Sequence, residues 1–477
     1  MIPGLISDAA FLGLEASDRP LAVELVKRLN EKWARNQLRR RYYEGHNALK
    51  DLGIAIPPQL KTIEVVVGWP AKGVDAMIDR TVLERFVSTS GSATMNAMLA
   101  DLSESNRLAV EIPSAHTSAL MHSCAFVFVA RGVHGEDDPE VVISTKSAED
   151  ASAIWDARRR QVKAALSIDD RDANTGNATL LHLYLPAIDG RPARVMRLTR
   201  NQGGAREAVE VSAFSGRIPV EILPFRPTLT RPFGRSRITR AVMYQTDAAM
   251  RTMLRTEVGA EFYNAPQRYA LGADEDAFTD SSGSPVPAWT VMLGRLLTLS
   301  RDEEGELPQV GQFSQQTMQP NVEQLRSIAE MAASEMSLDV GSLGIVQDNP
   351  SSAEAIRARN EELGIKIENW RRTVLSPAWQ RVMGLAATMV DGSSALAAEI
   401  NSIGTQWGSW SAPSEASQAQ AALARVQAVP RLAETEVELE RMGYTADEIK
   451  RIQADWRRGA GRETLDALRV AASGNAG

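Results

Sequence analysis

Residues 319–370 read QPNVEQLRSIAEMAASEMSLDVGSLGIVQDNPSSAEAIRARNEELGIKIENW. Two strongly helical segments flank a short break. The first follows Pro320, and proline is tolerated at a helix start because its missing N–H would find no partner there. The spacing predicts a helix to about Met336. A second helix is expected from Ser351, with Glu354 three residues on to complete a capping box. Between them, Gly341 and Gly344 permit a bent backbone, and Pro350 stops a helix from running through. A break held between two helices can project into something, although the same pattern suits an ordinary helix hairpin.

Outward from this stretch, size sets the first bound. The 477 residues are too many for one simple core, so two or more packed regions are expected. Apolar content of 44% and charged content of 24% are ordinary for a globular chain. No apolar run reaches membrane-spanning length, and no basic region precedes the first apolar residues as in a signal peptide. Cys124 is the single cysteine, so no internal disulfide can form. The net charge of −7 argues against a large basic surface gripping nucleic acid.

The N-terminal side predicts α+β structure. A helix is expected over Leu21–Lys50, ending in RRRYYEGHNALKDLG, then a strand at Ile63–Val67, a helix at Pro70–Arg80 and a strand at Val82–Val87. Helices follow at Asn96–Asn106 and Ser114–Ser123. CAFVFVA (Cys124–Ala130) has the β-rich character of a buried strand, with Val141–Thr145 its partner. Ser147–Trp155 predicts a short helix on capping spacing. Runs at Val162–Ile168, Ala178–Pro186, Ala193–Thr199, Ala208–Phe214 and Pro219–Leu223 form a meander signature. A proline-rich connector, Pro224–Ser236, leads to a long helix with Ile238, Val242, Ala249, Met253 and Ala260 on one face. A small β-module then lies inserted over Gln267–Met318. Beyond Trp370 the helix should continue past Pro377 to about Val390. Gly392–Pro413 is expected to be a linker and Glu415–Leu468 helical with a turn at Met442–Thr445.

No catalytic constellation stands out. There is no phosphate-cradling G-x-x-x-x-G-K-[ST] and no G-x-S-x-G elbow. His116, His122 and Cys124 match no common zinc spacing, and two helix histidines with a core cysteine is the simpler account. Asp169, Asp170 and Asp172 could together hold a divalent cation, which would suit a metal-dependent nuclease or hydrolase, but a solvated turn is the stronger expectation. Arg39–Arg41 with Tyr42 and Tyr43 could neutralise and stack on nucleic acid; more often such a cluster closes a helix end. No catalytic residue, metal or cofactor is expected.

The ordered set of features resembles the portal (head-to-tail connector) proteins of tailed double-stranded DNA bacteriophages, in the group typical of siphophages. RRRYYEGHNAL (Arg39–Leu49), SALMHSCAFVFV (Ser118–Val129), RIPVEILPF with GRSRITRAVMYQTDAAMRTML (Arg217–Leu254), and DVGSLGIVQDNPSSAEAIRARNEEL (Asp339–Leu363) carry the resemblance. It implies an α+β, predominantly helical portal fold. The N-terminal wing would span 1–232, a stem helix 233–263, the clip 264–318, a second stem helix 319–338, a tunnel loop 339–350, a long wing helix 351–391, and a linker with helical crown 392–477. It implies a closed dodecameric ring at one capsid vertex, assembled in the host bacterial cytoplasm. Double-stranded DNA would slide through it with weak contact during packaging and ejection. The implied partners are further copies of the chain, the terminase large subunit, head-completion (adaptor) proteins, and the major capsid protein and scaffold, with no membrane. In this frame Asp339, Gly341, Ser342, Leu343, Gly344, Ile345, Val346, Gln347, Asp348 and Asn349 would line the channel. Trp289, Arg295, Arg301, Asp302, Glu303 and Glu304 would dock the terminase or an adaptor. Another virion scaffold protein is the alternative from the same setting. The loop from Asp339 to Asn349 holds two acids and no Lys or Arg, which fits a conduit, because phosphate contacts supply most non-specific DNA affinity.

Overall fold

The computed structural model describes residues 11–47, 64–132, 138–188, 190–200, 206–214, 216–263, 268–271, 309–312, 317–345, 353–392, 399–411, 415–444, 448–459 and 462. The chain divides into two units, Met1–Trp410 and Ser411–Gly477.

In the first unit a short strand β1 (Phe11–Leu12) precedes helix α1 (Arg19–Glu44). Pro20 sits in its first turn, and Gly45 ends it in the left-handed conformation at φ 75°, which a residue without Cβ adopts at no steric cost. Helix α2 (Trp69–Ile78), strand β2 (Leu83–Ser88), and helices α3 (Ala93–Ser105) and α4 (Leu108–His122) follow. The expected strand at Ile63–Val67 is absent over residues 64–67, which have no regular structure; Ile63 lies outside the described residues.

Strands β3 (Cys124–Arg131) and β4 (Val141–Ser147) pair antiparallel as expected. The segment expected to be a helix over Ser147–Trp155 is instead a turn and strand β5 (Ala151–Asp156). The Ser147 hydroxyl accepts from the Glu149 N–H, 3.1 Å away, so it closes a turn rather than opening a helix. Ala151 and Ala153 then alternate into the core, a period of two that the capping spacing concealed. Strands β6 (Gln161–Arg171), β7 (Ala178–Leu185), β8 (Ala193–Arg200) and β9 (Arg206–Phe214) complete a six-stranded sheet in the order β1-β9-β8-β7-β6-β5. The last run of the expected meander, β10 (Val220–Pro224), leaves it and pairs with β3 in a separate three-stranded sheet.

These sheets form layers. On one face of the large sheet Leu166, Leu181, Leu183 and Leu198 pack with Leu25 and Leu29 of α1. Its opposite face presents Ala165, Tyr184 and Val195 to Phe126 and Phe128 of β3. The alternate residues of β3, Ala125, Val127 and Val129, face the main helical core. Both faces of β3 are therefore covered, which is why its sequence is a continuous apolar run rather than an alternating one. Burying each such Leu or Phe contributes roughly 1.5–3 kcal/mol.

Helix α5 (Arg240–Tyr263) begins seven residues after the expected Phe233, because 233–239 form the end of the proline-rich connector. Strands β11 (Arg268–Leu271) and β12 (Gln309–Gln312) make a two-stranded antiparallel ladder. Helix α6 (Gln319–Met336) returns alongside α5. A 3-10 turn (Val340–Leu343) precedes helix α7 (Ala353–Trp370), a π turn (Arg371–Leu375) and helix α8 (Ser376–Val390). The π turn stands immediately before Pro377, which has no N–H to continue the ladder; the Ser376 N–H reaches back five residues to the Arg371 carbonyl. The expected linker Gly392–Pro413 contains strand β13 (Ile403–Trp407), antiparallel to β2. Among the described residues the fold is mixed helix and sheet, about half helical.

The second unit holds helices α9 (Glu415–Ala428), α10 (Glu436–Arg441) and α11 (448–459), with turns at 442–444. Ala422, Leu439 and Ile449 are its buried apolar residues among those described.

Candidate functional site

The site is built where α5, α6 and the 3-10 turn meet. Helix α5 starts from a rigid root. The Thr239 hydroxyl accepts from the Val242 N–H at 3.2 Å, capping the helix, and donates to Glu335 of α6 at 3.1 Å. Two residues earlier, buried Arg237 donates to the Met336 carbonyl at 2.6 Å and to the Gly73 carbonyl of α2. A helix C-terminus leaves its last carbonyls without intrahelical donors; here a guanidinium fills one. Burial, with Arg226 nearby, lowers the Arg237 pKa to about 10. Gly73 lets α2 and the end of α6 approach closely, since a Cβ there would lie 2.3 Å from the Met336 sulfur.

Helix α6 ends at Ser337, a non-glycine residue held at φ 53°. Its hydroxyl donates to Glu362 of α7 at 2.9 Å and receives a hydrogen bond from Lys366. The hydrogen bonds from Lys366 and Ser337 hold the Glu362 carboxyl below its ordinary range. The two helices that bracket the break are therefore tied to each other across it. An open groove of about 810 Å³ beside them is lined by Arg226, Gln245, Glu330, Met331, Glu335 and Lys366. The outer side of α6 exposes Glu323, Glu330 and Glu335.

Of the residues expected to line a channel, the first six, Asp339 to Ile345, are described. Asp339 is an N-cap whose Oδ2 accepts from the Gly341 N–H at 2.9 Å. A Cβ on Gly341 would stand 2.8 Å from that oxygen, so glycine is what lets the cap close. Ser342 bonds back to the Asp339 carbonyl at 2.5 Å. Gly344 takes φ 84° and closes the turn. Leu343 is buried, and its carbonyl accepts from the Trp69 indole N–H at 3.2 Å. Val340 is buried too. The Leu343 side chain packs into the core and keeps 7% of its surface. Asp339, Gly341, Ser342, Gly344 and Ile345 keep some exposure. Val346, Gln347, Asp348 and Asn349 lie outside the described residues, as does the capping Ser351. Sequence reasoning missed the anchoring turn; an acid followed by apolar residues at Val340 and Leu343 was its signal.

The expected docking residues Trp289, Arg295, Arg301, Asp302, Glu303 and Glu304 all lie outside the described residues. The ladder of β11 and β12 is the described part of the inserted β-module.

The three aspartates do not converge. Burial works to raise the Asp169 pKa, but hydrogen bonds and charge from His182 and Lys146 outweigh it and bring it to about 2. Its carboxylate lies 2.6 Å from His182 Nδ1 and 2.9 Å from Lys146 Nζ. Asp170 accepts from Thr179 at 2.7 Å. Asp172 accepts from the backbone N–H groups of Asn174 and Thr175, the Asx-turn signature. Among the described residues no group of three or more His, Cys, Asp or Glu is placed to hold a metal ion.

The basic-aromatic cluster closes the end of α1. Arg39 donates to the His122 carbonyl at 2.6 Å, and Arg40 pairs with Glu44 and Glu149. Tyr42 and Tyr43 donate to Asp247 and Asp75, each at 2.8 Å. His116 is a core residue that accepts from the Trp379 indole N–H at 3.0 Å. Trp407 stacks on it, with ring centroids 6.0 Å apart. Buried Arg371 lies over Trp407 and donates to the Gly408 carbonyl at 2.8 Å and to the Arg80 carbonyl.

Comparison with known proteins follows the same span. The family described as "Phage portal protein, SPP1 Gp6-like" matches residues 24–460. Two similar curated proteins are named portal protein. The one from Mycobacterium phage L5 is 26% identical and the one from Mycobacterium phage D29 is 28% identical, each over 80% of this chain and 76% of its own length. Among solved structures, a chain from the neck of a native GTA particle, computed with C12 symmetry, is 11% identical with a TM-score of 0.37. A chain from the neck of an empty GTA particle, computed with C6 symmetry, is 12% identical with a TM-score of 0.42. Each covers 79% of this chain and 90% of its own.

Proposed function

The chain belongs to the phage portal proteins of the SPP1 Gp6-like family, whose role is structural, and from that premise we propose a ring that closes around a DNA channel at one capsid vertex. The observation that carries this reading is the span of the family match, residues 24–460, which takes in both units. Head-to-tail contacts that close are the expected interface, and the family resemblance suggests twelve copies.

In this reading α5 and α6 form the stem and residues 264–318 the clip. The clip would receive the terminase large subunit during packaging and adaptor proteins afterwards. The 3-10 turn serves as the fixed base of the tunnel loop. Asp339, Gly341, Ser342, Gly344 and Ile345 stand at that base, and Val346, Gln347, Asp348 and Asn349 are assigned to the channel lining. A conduit must not hold its cargo, and each phosphate contact adds drag and salt dependence. The exposed acids of α6 and the lack of Lys or Arg from Asp339 to Asn349 favour passage over grip.

The decisive experiment images the purified full chain by negative stain and measures its mass in solution. Rings with a central hole are the expected result. A monomer that forms no ring, alone or with capsid and scaffold proteins present, overturns the proposal.

A further inference from the structure

The second unit has an unusual division of charge. Residues 434–440, ETEVELE, hold four acids and no base. Residues 450–458, KRIQADWRR, hold four bases and one acid. Each segment also exposes apolar surface. Val437 of α10 is 53% exposed, with Met442 and Tyr444 exposed just beyond it. Trp456 of α11 is 44% exposed.

The apolar surface is the continuation of faces already in use. On α11, Ile449, Ile452, Gln453 and Trp456 fall on one stripe by their spacing of three, four and seven. Ile449 is buried and Ile452 half-buried, while Trp456 stands clear at the far end. The stripe thus runs past the surface that its own unit supplies. On α10 Leu439 is turned inward beside Glu438, whose carboxylate meets Arg425 of α9 at 2.7 Å. Val437 is left on the outer side. Among the described residues the three helices bury only Ala422, Leu439 and Ile449 as apolar side chains, and units with little buried apolar surface commonly gain stability by association.

We propose that Trp456, within its basic segment, docks against Val437 and the exposed Glu434 and Glu436 on a second copy of this chain. The two patches differ in sign and in residue, so one patch meets the other rather than itself. Such a contact is heterologous and passes from copy to copy. Large aromatic side chains rimmed by cations are typical anchors of protein interfaces, and opposite charge fixes the register. The proposal rests on the ring reading above and adds which residues of residues 411–477 join neighbouring copies.

The test uses the full-length protein with single cysteines at exposed rim positions, Glu436→Cys in one preparation and Arg457→Cys in another, leaving Val437 and Trp456 in place. Cys124 is buried and stays out of the reaction. The two chains are co-assembled and treated with a short bismaleimide. A cross-linked dimer in the mixture, and in neither preparation alone, is the expected result. Cross-linking in one preparation alone would mean that like patches meet, and it overturns the proposal. Absence of the mixed dimer also overturns it, and if rings are still seen by microscopy the ring reading survives that loss. As a second arm, Glu434→Arg with Glu436→Arg, or Arg457→Glu with Arg458→Glu, should each lower cross-linking between cysteine reporters at the exposed positions Arg441 and Arg451, with Val437 and Trp456 left in place. A chain carrying all four reversals should restore it. Equal cross-linking in all three would sink the role of charge.

Discussion

Gly73 lies so close to Met336 that a Cβ added at position 73 would stand 2.3 Å from the methionine sulfur, which would then have to shift. Through this contact, and through Arg237 bonding to the carbonyls of both residues, α2 fixes the place where α6 ends and the candidate tunnel loop begins.

Gly73→Ala should therefore destabilise the chain although alanine is the better helix former. Overpacking a filled core costs about 1–3 kcal/mol, against a helix-propensity gain of about 1 kcal/mol. Chemical denaturation measures the difference. Met336→Ala beside it makes room, so the double variant should lose less than the sum of the two single losses. Strict additivity would show that the contact is not felt.

Trp69→Phe removes the indole donor to the Leu343 carbonyl while keeping an aromatic ring. The loss should be about 1 kcal/mol, the net worth of one hydrogen bond. Its location matters more than its size. Amide exchange should speed up at 340–344 and stay unchanged in the middle of α6. Uniform acceleration throughout the first unit would mean that the indole supports the core and not the turn.

Acid should weaken the fold through His116. Burial, with the charge of Arg371 nearby, lowers its pKa from 6.5 to about 3. The unfolded chain then binds a proton that the folded chain refuses, so stability is complete above about pH 6.5 and falls as pH drops toward 3. The slope from this one group is about 1.4 kcal/mol per pH unit. His116→Gln keeps a polar group near the Trp379 indole and has no proton to gain. Its stability plotted against pH should be flatter by that slope between pH 6 and 4. An unchanged acid limb would assign the effect to other groups, His122 among them, whose pKa is also lowered by burial to about 3.

Gln347→Lys with Asp348→Lys places two cations in the stretch proposed to touch DNA. Each new phosphate contact strengthens DNA binding and makes it salt-dependent. Packaging in an assembled system should slow or stall, and raised salt should partly restore it. Full-length genomes packaged at the normal rate would remove these residues from the channel.

Which elements are legible in the sequence follows a physical pattern. Helix α6 is legible because Pro320 sits in its first turn, and α1 because Leu21, Leu25 and Leu29 recur at helical spacing. Strands β3 and β4 were legible because an apolar run too short for a helix was followed by a turn and a second run. Strand β5 was misread because Ser147 and Asp150 stand at capping distance, and only long-range pairing with β6 decides between turn and helix. Strand β13 was read as linker because its sequence, IGTQW, is short and rich in small and polar residues; its partner β2 lies some three hundred residues earlier. In the candidate site both flanking helices are expected from the sequence, and the turn that buries Leu343 is not. That turn is held by Trp69, whose indole N–H reaches the Leu343 carbonyl from 274 positions away, and no local spacing encodes that distance.

The π turn at Arg371–Leu375 carries a consequence for how this chain can vary in length. A π turn is an α-helix that has taken in one additional residue, so removing one residue there restores an even coil. The step is not neutral, because each residue in an α-helix advances the face by about 100°. Everything on the α7 side would swing round by that amount relative to α8, and Arg371 would leave the Gly408 and Arg80 carbonyls it now holds. Relatives that differ here by a single-residue gap should accordingly differ at position 371 as well, with gap and arginine gained or lost together in evolution.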